Sequence, residues 1–241
     1  MRPIGFSTGA LAYADFQRGL SMAGEVRCEA VELSALRQDE LWPLLHALST
    51  LDLSSFSYVS LHAPSQIAPD REAIVWEALH RECWRGWPII VHPDSLSDFS
   101  LWRELGASLC VENMDKRKLC GRTAKELDRI FSALPDASLC FDIGHARQVD
   151  PTMTEAYLIL KQFGSQLRQV HISEVNNASK HDPLSFSSIL AFQEVAHLIR
   201  EHVPVILETP VGLAGMNAQM AKAREALPIL NRTEVVAPVP S

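Results

Sequence analysis

Short, nearly continuous apolar runs alternate with longer amphipathic stretches along the chain. Runs of high strand propensity cover residues 4–8, 30–34, 58–62, 89–92, 109–112, 139–142, 169–172 and 205–208. Their continuity, rather than strict alternation, predicts strands buried on both faces of a parallel sheet. Between them, residues 40–51, 71–84, 123–134, 154–163 and 189–201 carry helical spacing. Thr123, with Glu126 three residues on, reads as a helix start with a capping box, and Thr154 stands just before Glu155. Eight strand–helix repeats predict a single (β/α)8 TIM barrel of the α/β class over residues 1–232, near the short end of that fold's range. An open doubly wound sheet should begin on a glycine-rich turn, and no GxGxxG occurs. Residues 233–241 lose helical periodicity and hold two prolines, so a flexible tail is expected there.

Polar residues end these runs. Six in a row finish on a side chain able to bind a metal: His62, His92, Glu112, Asp142, His171 and Glu208. In a barrel, all strand carboxyl ends converge on one mouth, where active sites are built. Side chains alternate along a strand. With these six pointing inward, Ser60, Ile90, Cys110, Cys140, Gln169 and Ile206 would fill the layer below, which accounts for two cysteines as packing. Any one of the six, alone, reads as a hydrogen-bonded surface or loop residue. Six at successive strand ends do not. Three carboxylates brought together repel unless protonated or bridged by a cation. Three imidazoles beside them complete an N/O ligand set that Zn, Mn, Fe or Co accepts.

Two more histidines join with less defined roles. His145 lies three residues after Asp142, with Gly144 offering a turn back over the mouth. His181 lies in the loop ten residues after His171. Outer ligand, proton carrier and substrate contact are the roles open to each. His46, His80, His197 and His202 fall within or at the end of helical segments and stay outside the set.

The chain has 241 residues, with 22 Lys+Arg against 29 Asp+Glu and a net charge of −7. The acidic balance gives no general attraction to nucleic acid. No apolar run approaches the roughly 20 residues of a membrane span, and no secretory signal is seen. Five cysteines, none in a CxxC pair, predict reduced thiols and a cytoplasmic setting.

The strand-end segments Leu61-His62-Ala63-Pro64, Val91-His92-Pro93, Val111-Glu112-Asn113, Phe141-Asp142-Ile143-Gly144-His145-Ala146, Val170-His171-Ile172 and Leu207-Glu208-Thr209-Pro210 form an ordered set. On them the sequence resembles the xylose isomerase-like barrel superfamily, which includes endonuclease IV and the sugar (phosphate) isomerases and epimerases. The resemblance runs from the third strand to the eighth, and it implies one to three divalent ions at the carboxyl mouth. The endonuclease-like pattern would place His62, His92 and Glu112 around one metal. Glu112 would bridge to a second, held also by Asp142, His171 and Glu208. A third would use His145, His181 and an Asp two residues before the latter. That position is Ser179 here, and Asp182 sits on the other side of His181. The isomerase-like pattern needs one metal, on Glu112, Asp142, His171 and Glu208. In it Glu112 and Glu208 also form the acid/base pair, with His145 beside them as a catalytic candidate.

The two patterns ask for different chemistry. Phosphodiester hydrolysis profits from two or three close metals, and His62 and His92 favour it. Isomerisation or epimerisation removes a proton next to a carbonyl while one metal polarises the sugar oxygens. Against a DNA enzyme, Ser65 follows the LHAP segment where endonuclease IV proteins often carry Tyr. Only 20 residues lead from His92 to Glu112 (112 − 92), leaving little room for a DNA-binding loop. The second run, Val31-Glu32-Leu33-Ser34-Ala35, looks like the isomerase members and puts Glu32 near the mouth as a substrate contact. Lys116, Arg117 and Lys118, with Arg122, form a basic cluster after the fifth strand that suits a sugar phosphate as well as DNA. A solvated helix-start cluster is its other reading. The expectation is therefore a divalent-metal-dependent isomerase or epimerase of a small sugar or sugar phosphate. An endonuclease IV-like hydrolase comes next, then a degenerate barrel that keeps its metal, for which Ser179 is the one support. The oligomeric state is left open.

Overall fold

In the computed structural model, which describes residues 2–229, seven strands follow one another around a ring. They are β1 (Ile4–Ser7), β2 (Ala30–Ser34), β3 (Tyr58–His62), β4 (Ile89–Val91), β5 (Leu109–Glu112), β6 (Ser138–Asp142) and β7 (Leu167–Ile172), each parallel to its neighbour. A small antiparallel hairpin, β8 (Glu174–Val175) with β9 (His181–Asp182), stands on the loop after β7. Then β10 (Val205–Leu207) pairs with both β7 and β1 and closes an eight-stranded parallel barrel. The expected tail at 233–241 lies outside the described residues.

The strands form where predicted because each has two faces to bury. Leu109, Val111, Leu139 and Phe141 face outward and join one large core with the surrounding helices. Ile90, Cys110 and Cys140 form a separate small cluster inside the ring. Ser60, Gln169 and Ile206 are fully buried as well. Boundaries moved by a residue or two. His92 and Glu208 fall one position past their strands, and Thr8 begins the short helix Thr8–Ala12 instead of ending β1.

The helices shifted more. The stretch expected at 71–84 is helical over Glu72–His80, followed by a 3-10 turn at Cys83–Arg85 that ends on Gly86 with φ of 70°. That at 189–201 runs over Phe186–Ala196, because Ser185 caps it three residues early. Thr123 does cap Ala124–Ala133 by accepting from the Glu126 backbone N–H. Glu126 reaches back to the Arg122 N–H, so the box is displaced by one residue. Two polar side chains tie the scaffold together. Buried Glu72 accepts from Ser97 N (2.7 Å), Asp98 N (3.1 Å) and Trp102 Nε1 (2.8 Å), which fixes the loop after β4. Buried Arg2, just before β1, donates to the carbonyls of Leu227, Ile199 and Arg200, joining the first strand to the segments that flank β10 and the last helix. Among the described residues no helix is long and apolar enough to cross a membrane. All five cysteines are free thiols.

Candidate metal centre

The six strand-end residues converge, with Glu112 at the middle. Its Oε2 lies 3.3 Å from His62 Nε2, 3.4 Å from His92 Nε2 and 3.4 Å from His171 Nδ1, and its Oε1 lies 3.2 Å from His145 Nδ1. Glu208 approaches from β10, with Oε1 3.5 Å from His171 Nδ1 and Oε2 3.6 Å from His181 Nδ1. His62, His92, Glu112, His145, His181 and Glu208 line a cavity of about 570 Å³ at the carboxyl mouth, with His171 and Asp142 buried behind them.

Local structure sets each side chain. Asn113 continues the sheet beyond β5: its amide exchanges two 2.8 Å hydrogen bonds with the Asp142 backbone. Asp142 then caps the helix Ile143–Val149, its Oδ1 accepting from His145 N at 2.6 Å. This corrects the turn expected at Gly144. That residue is the second of a helix, and a Cβ there would stand 2.5 Å from the Ser173 carbonyl oxygen. The glycine serves a close helix-to-strand approach, and the helix delivers His145 under the mouth.

Glu32, expected near the mouth, lies in the middle of β2, at 0% exposure and outside the cavity lining. A direct substrate contact would need open space beside it. What it meets instead is His171, whose Nε2 donates to Glu32 Oε2 at 2.9 Å. Ser60 and Gln169 donate to the same oxygen, and the Tyr58 hydroxyl donates to Gln169 Oε1 at 2.6 Å. Such a carboxylate behind a histidine fixes the ring orientation, so that Nδ1, once deprotonated, is presented as a ligand.

The electrostatics follow from burial and mutual charge. Burial opposes ionisation of Glu112, yet His171 and His92 hold it well below the usual carboxylate range. Burial, with Glu112 and Glu208 nearby, pushes Asp142 up to about 7. Burial would discharge His145, but Asp142 and Glu112 carry it to about 10; His62 is likewise lifted against burial to about 9. Burial lowers His92 and His181. Burial raises the Cys140 thiol well above its ordinary value, and Cys110 adds to the effect, so Cys140 stays uncharged packing.

The donor set fits a divalent ion. Glu112, Asp142, His171 and Glu208 offer atoms all within 4.8 Å of one another. Two of these residues hold buried atoms, Asp142 Oδ2 and His171 Nδ1, with no hydrogen-bond partner among the described residues. Unpartnered lone pairs facing one point are costly in a closed interior and are what a cation would satisfy. His62, His92 and Glu112 form a second group within the same limit.

The loop residues are arranged otherwise. His181 lines the cavity from β9, bonded through Nδ1 to Ser173 Oγ at 2.7 Å. Ser179, in place of a third-metal carboxylate, donates to Asp115 Oδ1 at 2.6 Å, and Asp182 turns away to Asn176. Arg117 and Lys118 line the cavity but are paired, with Asp115 and with Asp94 at 2.9 Å. Lys116 does not line it; its backbone N–H donates to Gln148. Sequence reasoning missed Lys180, Asp115 and Tyr13 at the cavity. The hairpin that presents Lys180 has strands too short to show a period, whereas Asp115 follows Glu112 closely enough to have been weighed.

No family model matches the chain, and no curated protein matches it in sequence. Solved structures do. Endonuclease IV from Thermus thermophilus superposes with a TM-score of 0.61 at 17% identity, over 92% of this chain and 99% of that one. The IolI protein, solved with a zinc atom, gives 0.65 at 11%, over 93% and 98%. The 3-keto-D-glucoside 4-epimerase YcjR from E. coli gives 0.58 at 12%, over 93% and 99%. The fold is that of the xylose isomerase-like barrels. At these identities the likeness establishes the architecture, and the chemistry must be argued from this chain's own residues.

Proposed function

We propose that this chain is a divalent-metal-dependent isomerase or epimerase of a small sugar or sugar phosphate. The observation that carries the reading is the pair of unpartnered buried atoms, Asp142 Oδ2 and His171 Nδ1, in a four-residue donor set of which Glu112 and Glu208 line the mouth cavity. Glu112, Asp142, His171 and Glu208 would hold the ion, which when bound polarises the oxygens of a carbonyl–hydroxyl pair. Glu208, the more exposed of the two glutamates at 14% against 1%, accepts the proton from the carbon next to the carbonyl. Glu112 and His145 stand across the cluster at 3.2 Å from each other and return a proton. Return to the opposite face of the same carbon inverts it; return to the neighbouring carbon, with the hydroxyl proton passing to the former carbonyl oxygen, isomerises. Leu36, Met114 and Pro210 give the cavity apolar walls that limit water, and Lys180 supplies positive charge at its rim for a phosphate.

The group His62, His92 and Glu112 favours a second reading, a multi-metal phosphodiester hydrolase, which resembles the endonuclease IV arrangement. One experiment separates the two. The purified chain, loaded with Mn²⁺ or Zn²⁺, is incubated with ketoses and their phosphates in D₂O and, in parallel, with an abasic-site oligonucleotide. Metal-dependent deuterium entry at the carbon beside the carbonyl, lost in Glu208→Ala, is the expected result. Strand cleavage without any exchange would sink the isomerase reading.

A further inference from the structure

Glu32 is the buried carboxylate that the four-donor set leaves unused. Its Oε2 is saturated by three donors: Gln169 Nε2 at 2.8 Å, His171 Nε2 at 2.9 Å and Ser60 Oγ at 3.2 Å. Its Oε1 is buried and has no hydrogen-bond partner among the described residues. Glu32, His62 and Glu208 offer donor atoms that all lie within 4.8 Å of one another. The His62 ring is already oriented, because Nδ1 donates to the Ala63 carbonyl at 2.6 Å and Nε2 faces the carboxylates, where a bound cation would displace its proton.

We infer that Glu32 Oε1, His62 Nε2 and a Glu208 oxygen form a second divalent-cation subsite, with Glu208 shared between two ions. The inference rests on the first ion being held by Glu112, Asp142, His171 and Glu208. Charge balance argues for it. Glu32, Glu112, Asp142 and Glu208 carry four negative charges when ionised, and histidines that bind metal are neutral. One dication leaves two of those charges with only His145, 3.2 Å from Glu112, to offset them in a low-dielectric interior, and a second removes them. Position argues further. The rival place for a second ion, among His62, His92 and Glu112, would sit on a carboxylate the first ion already neutralises. The Glu32 place sits on the one it does not reach. A ligand set of one imidazole and two carboxylates suits Mn²⁺ or Zn²⁺.

The test is metal stoichiometry of the metal-free full chain titrated with Mn²⁺ alone, by calorimetry and by elemental analysis after gel filtration. Glu32→Gln keeps the acceptor oxygen for His171 but removes the charge; His92→Ala removes the rival ligand. Two ions are expected in the parent and in His92→Ala, and one in Glu32→Gln, with affinity for the second ion down about tenfold or more. The two-ion forms should show an exchange-coupled Mn pair by electron paramagnetic resonance. A single ion in the parent overturns the subsite while leaving the four-donor centre standing; no ion at all overturns both. One ion in His92→Ala with two in Glu32→Gln moves the second ion to the His92 side and also overturns it. Loss of both ions from a folded Glu32→Gln chain would make Glu32 only the support of His171, which overturns the subsite as well.

Discussion

At the floor of the mouth, the side chains of Glu112, Asp142 and His171 stand on strand ends at 1%, 0% and 0% exposure. At the rim, His181 stands on the β8–β9 hairpin and Lys118 and Arg117 on the loop after β5, at 29%, 21% and 57%. The floor is held by sheet backbone and a helix cap, yet holds bare buried atoms at Asp142 and His171. The rim is held by a two-residue-per-strand hairpin and by side-chain contacts, and two of its charges are already matched: Lys118 with Asp94, Arg117 with Asp115. A sheet-anchored, unsatisfied cluster is poised to take an ion; a loop-borne, satisfied one tunes what approaches it.

The sharpest way to break that contrast is Glu208→Ala. Turnover should fall by about 10²–10⁴-fold with unchanged far-ultraviolet circular dichroism, and a folded variant with full activity would dissolve the floor as a functional unit. Asp142 offers a finer cut, because its Oδ1 caps a helix while Oδ2 faces the ion site. Asp142→Asn should weaken metal binding, by calorimetry, by roughly the 10–100-fold typical of metal-site disruption or more, with the cap kept. Asp142→Ala should add about 1 kcal/mol of lost stability in urea unfolding.

The floor should also report itself through pH. In the folded, metal-free chain His62 and His145 titrate near 9 and 10 against 6.5 ordinarily, and Asp142 near 7 against 3.8. All three pKa values are raised, so the folded state binds the extra protons. The histidine contribution is whole below pH 6.5 and drains away as pH climbs through 9 to 10, and the Asp142 contribution drains between 3.8 and 7. Bound metal requires deprotonated ligands and reverses that trend. Melting temperatures of chelator-treated and Mn²⁺-loaded protein should therefore diverge as pH rises above neutrality; parallel curves would deny that these groups share one site. The smallest effect belongs to the rim. Lys180→Ala should raise KM for a phosphorylated substrate by about fivefold, near 1 kcal/mol, with kcat unchanged. Lys116→Ala should do nothing.

The same contrast explains what could be read in advance. Strand ends announce themselves, since a buried parallel strand is a continuous apolar run and the polar residue that stops it is conspicuous; His62, Glu112 and His171 were legible for that reason. Loops carry no period. The hairpin bearing His181 and Lys180, and the helix that Asp142 starts, depend on Ser173, Val175 and Gln148 meeting across the chain. Glu32 fell between the two. Its place on β2 was readable, but its downward pairing with His171 depends on barrel closure, which brings residues 139 positions apart to 2.9 Å.

The Arg2 anchor gives the ring a direction in time. The barrel is sealed where its first-made strand meets its last, and Glu208 lies just beyond that last strand. During synthesis the nascent chain exposes Glu32, His62, Glu112, Asp142 and His171 well before Glu208 emerges. An ion captured by those early residues would be held without its last carboxylate until ring closure. On the proposed metal site, ion retention would be coupled to the last step of synthesis, so a ribosome stalled short of the eighth strand should carry a chain that exchanges its ion freely, whereas the released protein should keep it.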